Sequence, residues 1–265
     1  EPAVLDDIRD DIKTRIEHRW MKRGNGRFAS PLVAVKQPNK PRRRICGDYR
    51  KINAMTKSIA YPCKHVKKSI EQLKGSNFFG AMDMYKGYYQ LKLDEETGEL
   101  LSVVTPDGLF EPITAPFGPK QVPAAFQQRI SQQVLPGLEG NGVVSYIDDL
   151  CIHGQSFEDF FETLAELFMR LEAFDLRLNG KKCTLGGPDV EFLGMLVDGK
   201  GVQHTDHRKE AVKNLESPKT KKQLKSFLGM AGYFRSHIPN FARRAKVLTS
   251  LTKKDSPGKL VGVWG

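Results

Sequence analysis

The sequence predicts an α+β fold: a body in which strands are interrupted by helices, followed by an all-helical appendage. Three observations carry this. Apolar runs of strand length alternate with helix-periodic stretches up to about Thr205, and beyond it every pattern is helical. The formal net charge of +11 is uneven, because Arg208–Lys254 holds thirteen Lys/Arg against two acids and so accounts for the whole excess. No apolar stretch approaches the ~20 residues that a bilayer span needs, so no membrane partner is expected. Such polarity of charge points to a polyanion partner.

Taken in order, VLDDIRDDIKTRIEHRW sets Leu5, Ile8, Ile12 and Ile16 on one helical stripe. SPLVAVK and RRRICGDY read as strands joined by the turn-rich loop QPNKP. HVKKSIEQL is a short helix, and NFFGAMDMYKGYYQLKL begins as a buried strand. LLSVVT and LFEPIT flank the turn PDG and form a hairpin. AAFQQRISQQVL is helical, and VVSYIDDLCIHG reads as a strand pair preceded by the turn signal Asn141-Gly142. Ser156 with Asp159 forms a capping box. The helix it opens carries Phe157, Phe160, Phe161, Leu164, Phe168 and Leu171, a stripe expected in the core. VEFLGMLVDGKGVQ reads as a further hairpin.

Four cysteines lie far apart with no C-x-x-C pair, which excludes a zinc ribbon, argues against a disulfide framework and suits a reducing compartment. The acidic opening EPAVLDDIRDD has neither Met nor an apolar core, so it is no signal peptide. Both ends read as cuts from a longer chain.

The anomaly is Asp148-Asp149, two adjacent carboxylates inside an apolar run. Burying one unpaired charge costs several kcal/mol, and a like-charged neighbour worsens it. They could be the two central residues of a hairpin turn, but a turn without glycine or asparagine at φ > 0 is disfavoured. Asp83 is embedded in the same way in FFGAMDMYKGYY. Three carboxylates at the ends of neighbouring strands make a hard-oxygen site for Mg²⁺, and a pair of such ions can activate an attacking hydroxyl and steady a leaving pyrophosphate.

The chain resembles the reverse transcriptases of LTR retrotransposons and retroviruses, above all the gypsy-type (Metaviridae-like) elements. SPLVAVK, RICGDYRKIN, AMDMYKGYYQLKL, APFGPKQVPAAFQ, YIDD, LNGKKC, EFLGMLV and LKSFLGMAGYFRSHIPNFA carry the likeness, in order and across nearly the whole sequence. The resemblance implies a right-hand polymerase whose antiparallel-sheet palm packs on helices. Fingers would span 1–58 and 91–121, the palm 59–90 and 122–199, and the thumb 200–265, with a connection segment starting at its end.

It also implies roles. Asp83, Asp148 and Asp149 match the metal-binding aspartates, with the Met84 carbonyl as an added ligand, and Lys182 matches the lysine that protonates the leaving pyrophosphate. Tyr88 matches the steric gate against a ribose 2′-OH, with Gly87 leaving room for the sugar. Arg44 matches the fingers arginine on the triphosphate. Phe117 stands where retroviral enzymes have Gln, and Gln37 where they have the γ-phosphate lysine, so Lys36 or Lys40 substitutes or the contact is absent. Arg50, Asn53, Gly118 and Pro123 fall in template–primer motifs, and Phe192, Leu193 and Gly194 match the primer grip. The basic tail reads as a duplex clasp through Lys221, Lys222, Lys225, Arg243 and Arg244.

The expected activity is an RNA- and DNA-dependent DNA polymerase using two Mg²⁺, for which Mn²⁺ can substitute. Its expected partners are an RNA or DNA template with its primer, dNTPs, and the RNase H, integrase and protease domains of a Pol polyprotein, in the cytoplasm within virus-like particles. The sequence holds no second strand-borne acid cluster of the RNase H kind, so RNA is expected to be copied and not cut. Two alternatives stand beside this reading: a domesticated, idle nucleic-acid-binding protein of the same shape, which the three acids oppose, and an RNA polymerase, which Tyr88 opposes.

Overall fold

The computed structural model describes residues 2–37, 41–61, 65–204, 210, 216–235 and 238–253. Lys40 lies outside them. The chain divides into two compact units, Glu1–Val202 and Gln203–Gly265.

The first unit opens with α1 (Pro2–Glu17) and β1 (Met21–Arg23), followed by the hairpin β2 (Leu32–Val35) and β3 (Arg44–Gly47). Two short helices, α2 (Arg50–Met55) and α3 (Val66–Glu71), lead to β4 (Phe78–Asp83) and a 3₁₀ turn at Gly87–Gln90. Next come α4 (Glu95–Leu100) and the hairpin β5 (Val103–Thr105) and β6 (Gly108–Pro112). Helix α5 (Val122–Arg129) runs into a π-helical turn at Ile130–Val134. Then follow β7 (Val143–Tyr146), β8 (Asp149–Gly154), α6 (Phe157–Ala173), β9 (Thr184–Gly187), β10 (Asp189–Phe192), β11 (Met195–Asp198) and β12 (Gly201–His204).

The central sheet has the order β7-β8-β4-β9, and each pairing is antiparallel. Both faces of β7, β8 and β4 are covered, which is why these strands read as apolar runs, whereas β9 at the edge is largely exposed. Met82, Leu150 and Ile152 pack with Phe126, Phe160, Leu167 and Leu171 on the side of α5 and α6. Phe79, Val144 and Cys151 pack on the other side with Ile70, Leu73, Val190, Phe192 and Val197, from α3 and the sheet β10-β11-β12. A third core holds Ile12, Met21, Tyr49, Leu101, Val103 and Phe110, where α1 meets the sheet β1-β6-β5.

Three expectations are corrected. The α6 stripe is only partly core: Phe160 and Leu171 are buried, but Phe157, Phe161 and Phe168 are 53%, 56% and 42% exposed. The face that meets the sheet runs Phe160–Leu164–Leu167–Leu171, and the other phenylalanines form the adjoining stripe. There Phe157 lies 6.1 Å from Phe161 and 5.8 Å from Phe78 between ring centroids. On α1, Ile12 is buried but Leu5 and Ile16 are exposed, because the covered face runs through Ile8, Asp11, Ile12 and Arg15, the last buried with its guanidinium on the Ile45 carbonyl at 2.7 Å. The segment after Asp189 is a three-stranded meander, since DGKG turns the chain once more into β12.

The second unit holds α7 (Lys221–Tyr233) and α8 (Phe241–Ser250). Thr220 caps α7 through the Gln223 amide in a reciprocal capping box. Lys221 Nζ donates to the Lys253 carbonyl at 2.8 Å. Among the described residues no helix is long and apolar enough to cross a membrane.

Candidate active site

Sheet parity brings the acids together. Asp83 and Asp149 are direct partners across the β4–β8 ladder, so their side chains share the face toward β10 and β11. Asp148 sits in the turn that joins β7 to β8, where the pairing closes at Tyr146 and Asp149. The two-residue loop is therefore Ile147–Asp148, one position earlier than the Asp148–Asp149 turn the sequence allows. Ile147 adopts φ +58°, which for a β-branched residue stores about 1–3 kcal/mol. The Asp148 carbonyl accepts the Met84 amide at 3.0 Å, tying the turn to the end of β4. Gly87 makes room for it: a Cβ there would lie 2.9 Å from the Asp148 Cβ.

Burial raises the Asp149 carboxyl to about 6, with the charges of Asp148 and Asp83 adding to it and Lys182 opposing. Asp148 is raised too, chiefly by burial, with Asp83 adding to it. Lys182 Nζ donates to Asp83 Oδ2 at 2.9 Å, a bond that raises the pKa of the ammonium. Lys182 is presented by a 3₁₀ turn, Gly180–Lys182, and the Asn179 amide on the Asp83 carbonyl at 2.8 Å fixes where that turn begins.

The acids stand where two clefts meet. One, of about 560 Å³, is lined by Asp83, Asp148 and Lys182 together with Arg44, Gly87 and Phe117. The other, of about 580 Å³, is lined by Asp83, Asp149 and Lys182 together with Phe192, Leu193 and Gly194. Asp83 and Lys182 belong to both. In the first cleft the Arg44 guanidinium lies 5.8 Å from the centre of the Phe117 ring and donates to Gln37 Oε1 at 3.4 Å. In the second, Leu193 (φ +51°) and Gly194 (φ +71°) form the two-residue loop between Phe192 and Met195.

Other predicted residues are placed differently. Tyr88 is not among the residues lining the first cleft; it packs beside it, 5.1 Å from Phe117 and 5.7 Å from Phe126 between centroids. Burial, and then the charge of Asp148, raises its hydroxyl pKa. The tyrosines that line it are Tyr85 and Tyr89, the latter stacked on Trp20 at 4.5 Å. Gln37 lines this cleft, whereas Lys36 does not. Arg42 and Arg43 pair with Asp10 and Asp7 at 3.0 Å, which anchors β3 to α1.

Asn53 is engaged within the protein: its Nδ2 donates to the Gly118 carbonyl at 3.0 Å and its Oδ1 accepts the Lys120 amide at 2.8 Å. It therefore shapes the loop that bears Phe117 and Gly118. Arg50 forms a two-pronged pair with Asp48 at 2.6 and 2.7 Å, and Pro123 lies in the first turn of α5. Lys222, Lys225, Arg243 and Arg244 are exposed on α7 and α8. Gln127 was invisible to sequence reasoning. It is buried, and its Oε1 accepts the Ile147 amide at 2.5 Å. The only signal was a polar residue between Phe126 and Ile130 in a helix whose apolar positions face the core.

As they stand, no three His, Cys, Asp or Glu side chains among the described residues are grouped tightly enough to hold a metal ion. The chemistry of the set nevertheless fits a dication. All its donors are hard oxygens, burial and mutual repulsion keep two of the acids from ionising freely, and a cation, Lys182, already sits on the third. The Met84 carbonyl is compatible with that set. The bridge opposite Leu178 is made by its neighbours, Tyr85 N to Arg177 O and Asn179 N to Asp83 O.

The chain has relatives among known proteins. The chain is 29% identical over 254 residues to the retrovirus-related Pol polyprotein from transposon 297 of Drosophila melanogaster, covering 94% of this chain and 24% of that protein. It is 26% identical to the transposon Tf2-3 polyprotein of Schizosaccharomyces pombe, covering 96% and 19%. The chain thus spans a quarter or less of the length of these relatives. Among solved structures it superposes with a TM-score of 0.87 on a foamy viral protease-reverse transcriptase in complex with double-stranded DNA, at 20% identity over 98% of this chain and 45% of that one. The same viral protein in complex with an RNA/DNA hybrid gives 0.86 at 22%, over 96% and 34%. This likeness establishes the fold, a right-hand polymerase. The family profile described as reverse transcriptase (RNA-dependent DNA polymerase) matches residues 34–197, from the β2–β3 hairpin through the acids and the Leu193–Gly194 turn into β11, and the chain belongs to that family.

Proposed function

We propose that this chain is the polymerase portion of a gypsy-type LTR retrotransposon reverse transcriptase, an RNA- and DNA-dependent DNA polymerase that extends a primer 3′-OH with dNTPs. One observation carries the reading: three carboxylates stand at the junction of two clefts, one bearing Arg44 and the other the Leu193–Gly194 turn. An arginine on a cleft wall suits a triphosphate, and a turn on the facing cleft suits a primer end. The junction is then where the 3′-OH meets the α-phosphate.

The family uses divalent ions, and here Asp83, Asp148, Asp149 and the Met84 carbonyl would hold them, two Mg²⁺ for which Mn²⁺ can substitute. Bound there, the ions supply an acidified 3′-OH and neutralisation of the charge on the leaving pyrophosphate. The protein's own residues do the rest. Arg44 orients the phosphates from the Phe117 side. Lys182, protonated and held on Asp83, is placed to give a proton to the departing pyrophosphate. Tyr88, wedged between Phe117 and Phe126, restricts the space beside the sugar, and Gly87 leaves the backbone flush with Asp148. Asn53 holds the Gly118 loop in register.

Residues 1–58 and 91–121 are read as fingers, 59–90 and 122–199 as palm, and 200–265 as thumb. Lys222, Lys225, Arg243 and Arg244 supply backbone contacts, with Lys221 partly committed to Lys253. The wider assembly is a Pol polyprotein in cytoplasmic virus-like particles. Primer extension on poly(rA) and on DNA templates, with Mg²⁺, Mn²⁺ or EDTA, tests the reading. Metal-dependent extension on both templates is expected. Tight template binding without extension under any metal would favour the idle nucleic-acid-binding alternative.

A further inference from the structure

The hairpin that carries Asp148 and Asp149 breaks the ordinary chemistry of its own turn, and a side chain from another element answers for it. Ile147 holds a left-handed conformation that β-branched residues rarely adopt. Gln127, on α5 and 5% exposed, accepts the Ile147 backbone N–H at 2.5 Å. Its amide nitrogen donates to Ser145 Oγ at 2.9 Å and to Ser131 Oγ at 3.0 Å. Both hydroxyls donate in turn to Glu139 Oε2, at 2.9 Å from Ser145 and 3.1 Å from Ser131, and the Ser145 amide reaches Oε1 at 3.1 Å.

The direction of this network is fixed from its far end. A carboxylate only accepts, so both serines must point their protons at Glu139 and offer lone pairs to Gln127. The Gln127 NH₂ is thereby drawn to the serines and its carbonyl faces Ile147. The reversed amide would set N–H against N–H. Every polar atom that meets in this buried space finds a complementary partner, so the network rigidifies what it touches.

We propose that Gln127 is a positioning residue for the polymerase site: through the Ile147 amide it holds the turn that sets Asp148 against Gly87 and Asp149 opposite Asp83. Its catalytic consequence rests on the polymerase reading above; the clamp itself does not.

Gln127→Met keeps the length and bulk of the side chain and removes all three bonds. Amide hydrogen exchange of the metal-free protein reads the clamp directly. Exchange at Ile147 and Asp148 is expected to quicken about tenfold, the worth of one net hydrogen bond, while β4 amides exchange as before. Single-turnover extension reads the positioning: the maximal rate at saturating dNTP should fall between about tenfold and a hundredfold, with template–primer affinity unchanged. Adding Ile147→Gly, which makes the left-handed turn natural, should restore part of that rate. Unchanged exchange at the hairpin tip would overturn the clamp. Faster exchange with a maximal rate within twofold of wild type would overturn the positioning role and leave a structural one. A wild-type protein that extends no primer would sink the polymerase reading instead, and the exchange comparison would still decide the clamp. Should Gln127→Met not fold, Gln127→Asn, which keeps an amide for the serines but falls a methylene short of Ile147, is read by the same two measurements.

Discussion

Two hairpins border Asp83, and each turns on two residues with a non-glycine first residue in the left-handed region. In one, Leu193 (φ +51°) is followed by Gly194 (φ +71°). With both loop residues left-handed, the backbone twist matches that of the strands, and the glycine makes the turn a property of local sequence. In the other, Ile147 (φ +58°) is followed by Asp148, which is not left-handed, and no glycine helps. That turn is a tertiary property, sustained by Gln127 from α5. Local turn chemistry is obeyed where a turn only has to present backbone, and it is broken where a turn has to present carboxylates. Strain of this kind persists when the surroundings over-determine it, and functional sites are where that is found.

The largest effect should come from removing charge at the strained turn or at its neighbour on β4. Asp148→Asn or Asp83→Asn should lower extension by about a thousandfold or more, because several kcal/mol of charge stabilisation at the reacting phosphate disappears. Template–primer binding should stay within a few-fold of wild type, since phosphate contacts dominate affinity. Single-turnover rates beside equilibrium binding decide it. Extension within a few-fold of wild type in either variant would undo the metal assignment.

The next effect separates the clefts. Tyr88→Ala opens space next to Phe117 and Asp148, on the Arg44 side only. The preference for dNTPs over rNTPs should fall by about one to two orders of magnitude, or 1.4–2.8 kcal/mol of lost discrimination. The ratio of incorporation efficiencies measures it. Because Tyr88 flanks the cleft without lining it, an unchanged ratio would make Tyr88 a packed aromatic and shift attention to Tyr89.

What the sequence disclosed follows the same division. Asp83, Asp148 and Asp149 were legible because an acid inside an apolar strand run violates the burial rule. The β4, β7 and β8 strands were legible because both their faces are covered. Gln127 stayed hidden because Gln-Gln in a helix is what a solvated face also looks like, and only the π-helical turn after Arg129 and the placement of Ser131 and Glu139 give it partners. Periodicity identified the apolar positions of α6 and could not say that the sheet covers only the Phe160–Leu171 line. The short helices α2 and α4 and strand β12 escaped notice, the last because DGKG reads as an ending. Lys36 and Gln37 were separable only once β2 and β3 set which residue follows the strand into the cleft.

Gly194→Ala tests the other turn. A left-handed alanine costs about 1–2 kcal/mol relative to glycine, so thermal stability should drop by that amount. Extension from a matched primer end should slow severalfold, and dNTP-over-rNTP preference should not move. If the preference falls as it does for Tyr88→Ala, the two clefts are not separate in function.

The smallest effect concerns stability and has an unusual sign. Burial and the neighbouring acids raise the Asp149 carboxyl to about 6 in the folded chain, against 3.8 ordinarily. Between those values the folded state binds more protons than the unfolded one, so stability falls as pH rises from about 4 to about 6 and stays reduced at pH 7. Asparagine cannot ionise. Asp149→Asn should therefore be more stable than wild type at pH 7 in EDTA, by about 1–2 kcal/mol once the solvent around this partly exposed group is allowed for. That corresponds to a gain of a few degrees in Tm, which should vanish near pH 4. Mg²⁺ should reverse the order, because only the ionised aspartate draws the ion and gains from it. The Gly194→Ala loss involves no titrating group and should be flat across the same pH range. Melting curves of the two variants at pH 4 and pH 7, with EDTA and with Mg²⁺, set the turns side by side; an Asp149→Asn protein less stable than wild type in EDTA at pH 7 would mean that the acid-bearing turn stores no electrostatic strain.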